Sequence, residues 1–152
     1  MLVNESQHAR DARAAKRAHA LSLGIDDTFI ATMIDRFYTK IRSDLMLGPI
    51  FASHVADWSP HLERMNLFWR SVLFSSGEFT GNPMLKHVVI PDLDRRQFAQ
   101  WLALFDETLI EIGTAPARTL ILERARNIAN SLLNAVNIHS GRGIGLSKAD
   151  EL

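Results

Sequence analysis

Asp26–Ile41, DDTFIATMIDRFYTKI, is the stretch on which the fold class turns. Its apolar residues Ile30, Met33, Ile34, Phe37, Tyr38 and Ile41 recur at intervals of three and four, the repeat of one helix face and not the alternation of a strand. Asp26 or Asp27 is placed to cap the start by accepting a backbone N–H that the first turn leaves free. A face that apolar requires a partner surface. It also carries the chain's one tyrosine, whose hydroxyl needs a hydrogen-bond partner if it is buried.

Working outward, the same period returns three times. A helix is expected from Ser59-Pro60, a cap residue followed by proline at the first helical position, with His61, Met65, Phe68, Trp69, Val72 and Leu73 inward. Another follows the capping box of Asp94 and Gln97, with Phe98, Trp101, Leu102, Phe105, Leu109 and Ile112 inward. Pro116 opens the last, striped by Ile121, Ala125, Ile128, Leu132 and Val136. Between them, Gly48-Pro49 reads as a break with Ile50-Phe51 as an apolar anchor in a turn. Ser75 to Pro83 reads as a loop, and Met84 to Val88 as a single helical turn before Pro91. No internal repeat or strand pattern is present. The expectation is an all-α domain over residues 25–138. Residues 1–24 are expected to be an extension, a helical or disordered arm with little to bury, and residues 139–152 a flexible tail.

Bulk properties narrow the function. The chain has 152 residues, and 47% are apolar, enough to build one core. It has no cysteine, which excludes disulfides, thiolate zinc sites, Cys-ligated iron–sulfur clusters and thiolate haem ligation, so histidine must carry any tight metal binding. Lys plus Arg equals Asp plus Glu at 17 each, so no global field attracts nucleic acid. No apolar run is long enough to span a bilayer, and the first residues mix charges in place of a signal-peptide core. These features lead to the expectation of a soluble, cytoplasmic monomer or weak dimer.

Four residues on different apolar segments carry the chemistry: Tyr38, His61, His87 and Trp101. If the segments share a centre, they supply an axial imidazole and a polar pocket opposite it, the arrangement a haem needs. Each has a plainer reading. His87 is a lone histidine on a short turn, and His61 sits near a helix mouth where water can reach it. Tyr38 can bond a backbone carbonyl, and Trp101 can be packing. Phe51, Phe68, Phe98 and Phe105 would line a flat cofactor or make a dense core equally well. Arg64, Lys86, Arg95 and Arg96 suit carboxylates at a pocket rim or ordinary solvent-facing charge. His8, His19, His54 and His139 are expected at the surface. Zinc-protease, phosphate-loop, dinucleotide and serine-elbow motifs are absent, and Asp26-Asp27 lacks the ligand spacing of a calcium loop.

Taken together, several stretches resemble the truncated haemoglobin family, and its third group in particular. They are Phe37-Tyr38; Gly48-Pro49-Ile50-Phe51; His61 with Asn66 to Trp69; Gly81-Asn82-Pro83-Met84-Leu85-Lys86-His87; and Trp101-Leu102-Ala103-Leu104-Phe105. The resemblance runs from about Gly24 to Asn137 and implies a two-over-two helical sandwich around haem b. It implies His87 as the proximal iron ligand, and Tyr38, His61 and Trp101 on the distal, ligand-stabilising side. Phe51, Met65, Phe68, Phe98 and Phe105 would be the pocket wall. The implied function is reversible binding of oxygen, carbon monoxide or nitric oxide. A nitric oxide dioxygenase or peroxidase-like enzyme is the alternative and would need an electron-donating reductase. A cofactor-free helical interaction module is the remaining one.

Overall fold

The computed structural model describes residues 6–141. Among the described residues the chain forms seven helices and no strand. They are α1 (Gln7–Ser22), α2 (Asp27–Ser43), α3 (Leu47–His54), α4 (Trp58–Phe74), α5 (Pro83–Val88), α6 (Arg95–Ile112) and α7 (Ala115–His139). The expected C-terminal tail lies outside the described residues from position 142 onward.

The main helices start where their capping residues dictate. Asp26 Oδ1 accepts from the Phe29 N–H at 2.8 Å, and α2 then buries Ile30, Met33, Ile34, Phe37, Tyr38 and Ile41. At α6 the Asp94 side chain accepts from the first-turn backbone while the Asp94 N–H donates to Gln97 Oε1 at 2.8 Å, completing the capping box. Thr114 caps α7, which buries Ile121, Ala125, Leu132 and Val136 along its stripe.

Two boundaries differ from the sequence expectation for one physical reason. Gly48-Pro49 does not break the chain, because both residues lie in the first turn of α3. Likewise α4 begins at Trp58 behind Asp57, whose Oδ1 accepts from the Ser59 N–H at 3.3 Å, so Pro60 is the third helical residue and not the first. The first N–H groups of a helix have no carbonyl to reach, and proline at any of these positions removes no hydrogen bond. Gly48 has a separate role: a Cβ there would sit 2.9 Å from the Arg42 carbonyl, so only glycine lets α3 approach the end of α2 this closely.

Within the expected N-terminal extension, α1 is helical and docks, while residues 1–5 lie outside the described residues. Ala20 is 1% exposed within the core, Leu23 packs beside it, and the Arg17 guanidinium lies 4.4 Å from the Phe74 ring centroid, seating α1 on α4. Small alanines and aliphatic stems of charged residues supply the contact that a hydrophobic stripe supplies elsewhere.

The long helices pair α2 with α4 and α6 with α7, and α2 against α6 joins the pairs. Lys40 of α2 bridges to Glu107 and Glu111 of α6, and Arg118 of α7 makes a two-pronged bond to Asp106 of α6. The buried side chains fall into two clusters. The larger joins α1, α2, α4, α6 and the first half of α7; the smaller comprises Leu93, Phe98, Ala129, Leu132, Leu133 and Val136. Half-buried Ile50, Trp101, Leu102 and Ile128 touch both, so a seam runs between two cores.

One side chain holds the α2–α3 corner to α6. Asp44 Oδ2 accepts from the N–H groups of Met46 and Leu47 at 3.1 and 2.9 Å, and its Oδ1 accepts from Gln100 Nε2 at 2.8 Å. Asp44→Ala is expected to cost about 2 kcal/mol of stability in a urea unfolding titration, because three donors lose their acceptor. An unchanged midpoint would show that water replaces the carboxylate freely.

Candidate functional site

Four rings from three helices meet on the larger core. The helical repeat of α2 turns Tyr38 inward, 5% exposed, and its ring centroid lies 5.1 Å from His61, 5.8 Å from Phe51 and 5.8 Å from Trp58. Trp58 and His61, three residues apart in the first turn of α4, meet edge-on at 5.5 Å. Burial pushes the Tyr38 hydroxyl well above its ordinary range, and no hydrogen bond offsets this. It therefore stays a neutral O–H.

His61 is held in the same uncharged condition. Its Nε2 is buried and has no hydrogen-bond partner among the described residues. Burial lowers its pKa from 6.5 to about 4, helped by the positive charges of Arg64 and Lys86 and by that of His87 whenever acid protonates it. That His87 is felt at His61 places the two imidazoles in one neighbourhood, although α4 and α5 are separated by the loop from Ser75 to Asn82.

His87 is positioned by a short helix of which it is the last residue but one. Asn82 Oδ1 accepts from the Leu85 N–H at 3.1 Å and starts α5, and the helical turn then brings His87 Nδ1 within 2.7 Å of the Pro83 carbonyl. A carbonyl can only accept, so Nδ1 carries the proton and Nε2 keeps its lone pair. Burial lowers the His87 pKa and outweighs the opposing effect of that hydrogen bond. Phe98 lies beside the ring at 6.5 Å, on the smaller core.

Trp101 stands between the two groups. It meets Phe37 edge-on at 5.5 Å and stacks on Phe105 at 5.4 Å, and half-buried Met65 and Phe68 pack on the larger core. Phe105 is fully buried, stacked between Trp101 and Trp69, and so supports Trp101 from behind. Two aromatics that the sequence reading did not single out belong to the neighbourhood. Trp58 was legible at i−3 from His61, whereas Phe79 sits in a loop without a period and reaches Phe68 at 5.1 Å only through the loop's fold. The outlying histidines His8, His19, His54 and His139 are exposed, as expected. A cavity of about 370 Å³ lined by Arg118, Thr119, Leu122, Glu123 and Arg126 involves none of these residues.

The arrangement suits a flat apolar group. Half-buried Trp101 and Leu102 touch both clusters, half-buried Phe51, Met65 and Phe68 pack on the larger one, the His61 Nε2 lacks a partner among the described residues, and an imidazole lone pair is available at His87. Among the described residues no three His, Asp or Glu side chains converge on a metal-sized site, so a metal at His87 would draw its other ligands from outside the polypeptide.

Comparison with known proteins bears on the same region. No protein-family model matches the chain. The group 3 truncated hemoglobin ctb of Campylobacter jejuni is 32% identical over 121 residues, which span 77% of this chain and 95% of that protein. The crystal structure of a group III truncated hemoglobin from Campylobacter jejuni superposes with a TM-score of 0.70 at 34% identity, covering 74% of this chain and 91% of that one. The fold is thus the two-over-two helical sandwich of the truncated globins, and with this identity across most of its length the chain belongs to the group III truncated haemoglobins.

Proposed function

We propose that the seam holds haem b and that the protein reversibly binds oxygen, carbon monoxide or nitric oxide there. The observation that carries this reading is the His87 imidazole: it is neutral, its Nδ1–H is committed to the Pro83 carbonyl at 2.7 Å, and its Nε2 lone pair is left free. When bound, haem would be held through its iron by the His87 imidazole and would supply a ferrous centre able to bind a small diatomic ligand.

The chain's own residues do the rest. Pro83 orients the His87 ring and raises its basicity through the Nδ1 hydrogen bond. Phe51, Met65, Phe68 and Phe98 would hold the macrocycle by apolar contact, and the exposed cations Arg64 and Lys86 would meet its carboxylates. On the other side, the Tyr38 hydroxyl is a donor kept protonated by burial, with His61 beside it and the Trp101 indole N–H as a further donor. In a site shielded from water, such donors hold a partly negative small ligand longer than bulk water would.

Three outcomes test this. Purified His87→Gly should lose the wild-type ferrous and ferric haem spectra, and added imidazole should restore them; wild-type spectra without imidazole would overturn the ligand assignment. Tyr38→Phe is expected to release oxygen about tenfold faster, the equivalent of about 1.4 kcal/mol for one lost hydrogen bond to a charged acceptor. An unchanged release rate in stopped flow would remove that role.

The third concerns pH. The folded His61 pKa of about 4 lies below the value of 6.5 for an exposed imidazole, so between these limits the unfolded chain binds the extra proton. The stability of the haem-free protein should be full above pH 6.5 and fall as the pH drops toward 4. Melting temperatures across that range should decline less in His61→Gln, which cannot titrate.

A further inference from the structure

We infer that Trp58, clamped by Arg42, is the gate through which small ligands reach the Tyr38–His61 pocket. This inference rests on the ligand-binding reading above, but its observations are independent of haem. Trp58 is the first residue of α4, half-buried, and its ring touches all three other rings of the cluster. Tyr38 lies at 5.8 Å, Phe51 stacks on it at 6.3 Å and His61 meets it edge-on at 5.5 Å. Tyr38 is buried, and the buried His61 Nε2 lacks a partner.

On the solvent side lies Arg42, an exposed residue one helical turn beyond Tyr38 on α2, with its guanidinium carbon 4.6 Å from the Trp58 ring centroid. The order is therefore graded: exposed cation, half-buried indole, then buried phenol and half-buried imidazole. A ring held on one face by a surface guanidinium and otherwise by ring contacts can leave without breaking a buried hydrogen bond, since among the described residues no acceptor holds its indole N–H. Its departure would uncover His61 and Tyr38 together, because it contacts both. Trp58 is a positioning residue in this scheme. It does not touch the bound ligand but sets how often the pocket is open and how dry it is when closed.

Two readouts test the gate. In the haem-free protein, the His61 pKa followed by nuclear magnetic resonance should rise in Trp58→Ala from about 4 most of the way to 6.5, because the ring that excludes water is gone. In the haem-loaded protein, carbon monoxide recombination after flash photolysis should be about tenfold faster in Trp58→Ala and about threefold faster in Arg42→Gln, which frees the ring while leaving the core intact. Arg42→Lys should recover part of the wild-type rate. An unmoved His61 pKa in Trp58→Ala would overturn the gate. If Trp58→Ala fails to fold, wild-type recombination in Arg42→Gln would do the same. A wild-type chain that takes up no haem would remove the underlying function and the gate with it, whereas normal haem uptake with unchanged rates would remove the gate alone.

Discussion

An aromatic column runs from α4 through α6 to α2. Trp69 stacks on Phe105 at 5.1 Å, Phe105 on Trp101 at 5.4 Å, Trp101 meets Phe37 edge-on at 5.5 Å, and Phe37 meets Tyr38 at 4.9 Å. Its inner members, Phe37 and Phe105, are almost completely buried, so neither can move without opening a void in a close-packed interior. Tyr38 and Trp101, at the far end and the middle of the column, inherit that rigidity. The phenol of Tyr38 and the indole of Trp101 are thus held by rings that are not polar at all.

The same packing makes the site's electrostatics. Tyr38, His61 and His87 carry titratable groups, and burial favours the uncharged form of each. Positive charge from Arg64 and Lys86 reinforces this at His61. A neutral imidazole can offer a lone pair and a neutral phenol can donate a proton, as the proposed haem site requires; charged, neither would serve. The interior divides into two clusters that share the half-buried residues Ile50, Trp101, Leu102 and Ile128.

Much of this was legible in the residues. The stripe on α2, the capping box of α6 and the last helix follow from period and capping chemistry, which act within a few residues. Pro49 and Pro60 misled because a proline signals the edge of a helix without saying on which side of it the first turn begins. Helical spacing tells which residues face inward, as at fully buried Phe105, and it does not say which partner surface they meet. Asp44, which ties one corner to Gln100 across 56 positions, has no local signature.

What the sequence by itself determined is the helical class, the inward faces, and the set Tyr38, His61, His87 and Trp101, because period, capping and side-chain chemistry are properties of neighbours along the chain. What only the tertiary structure decided is which of those faces meet. It brings His87 into electrostatic reach of His61, puts Trp58 against Arg42 as well as Tyr38 and His61, and docks α1 on α4. These depend on contacts between distant segments, whose pairing is selected by how whole surfaces fill space and not by any residue's own preference.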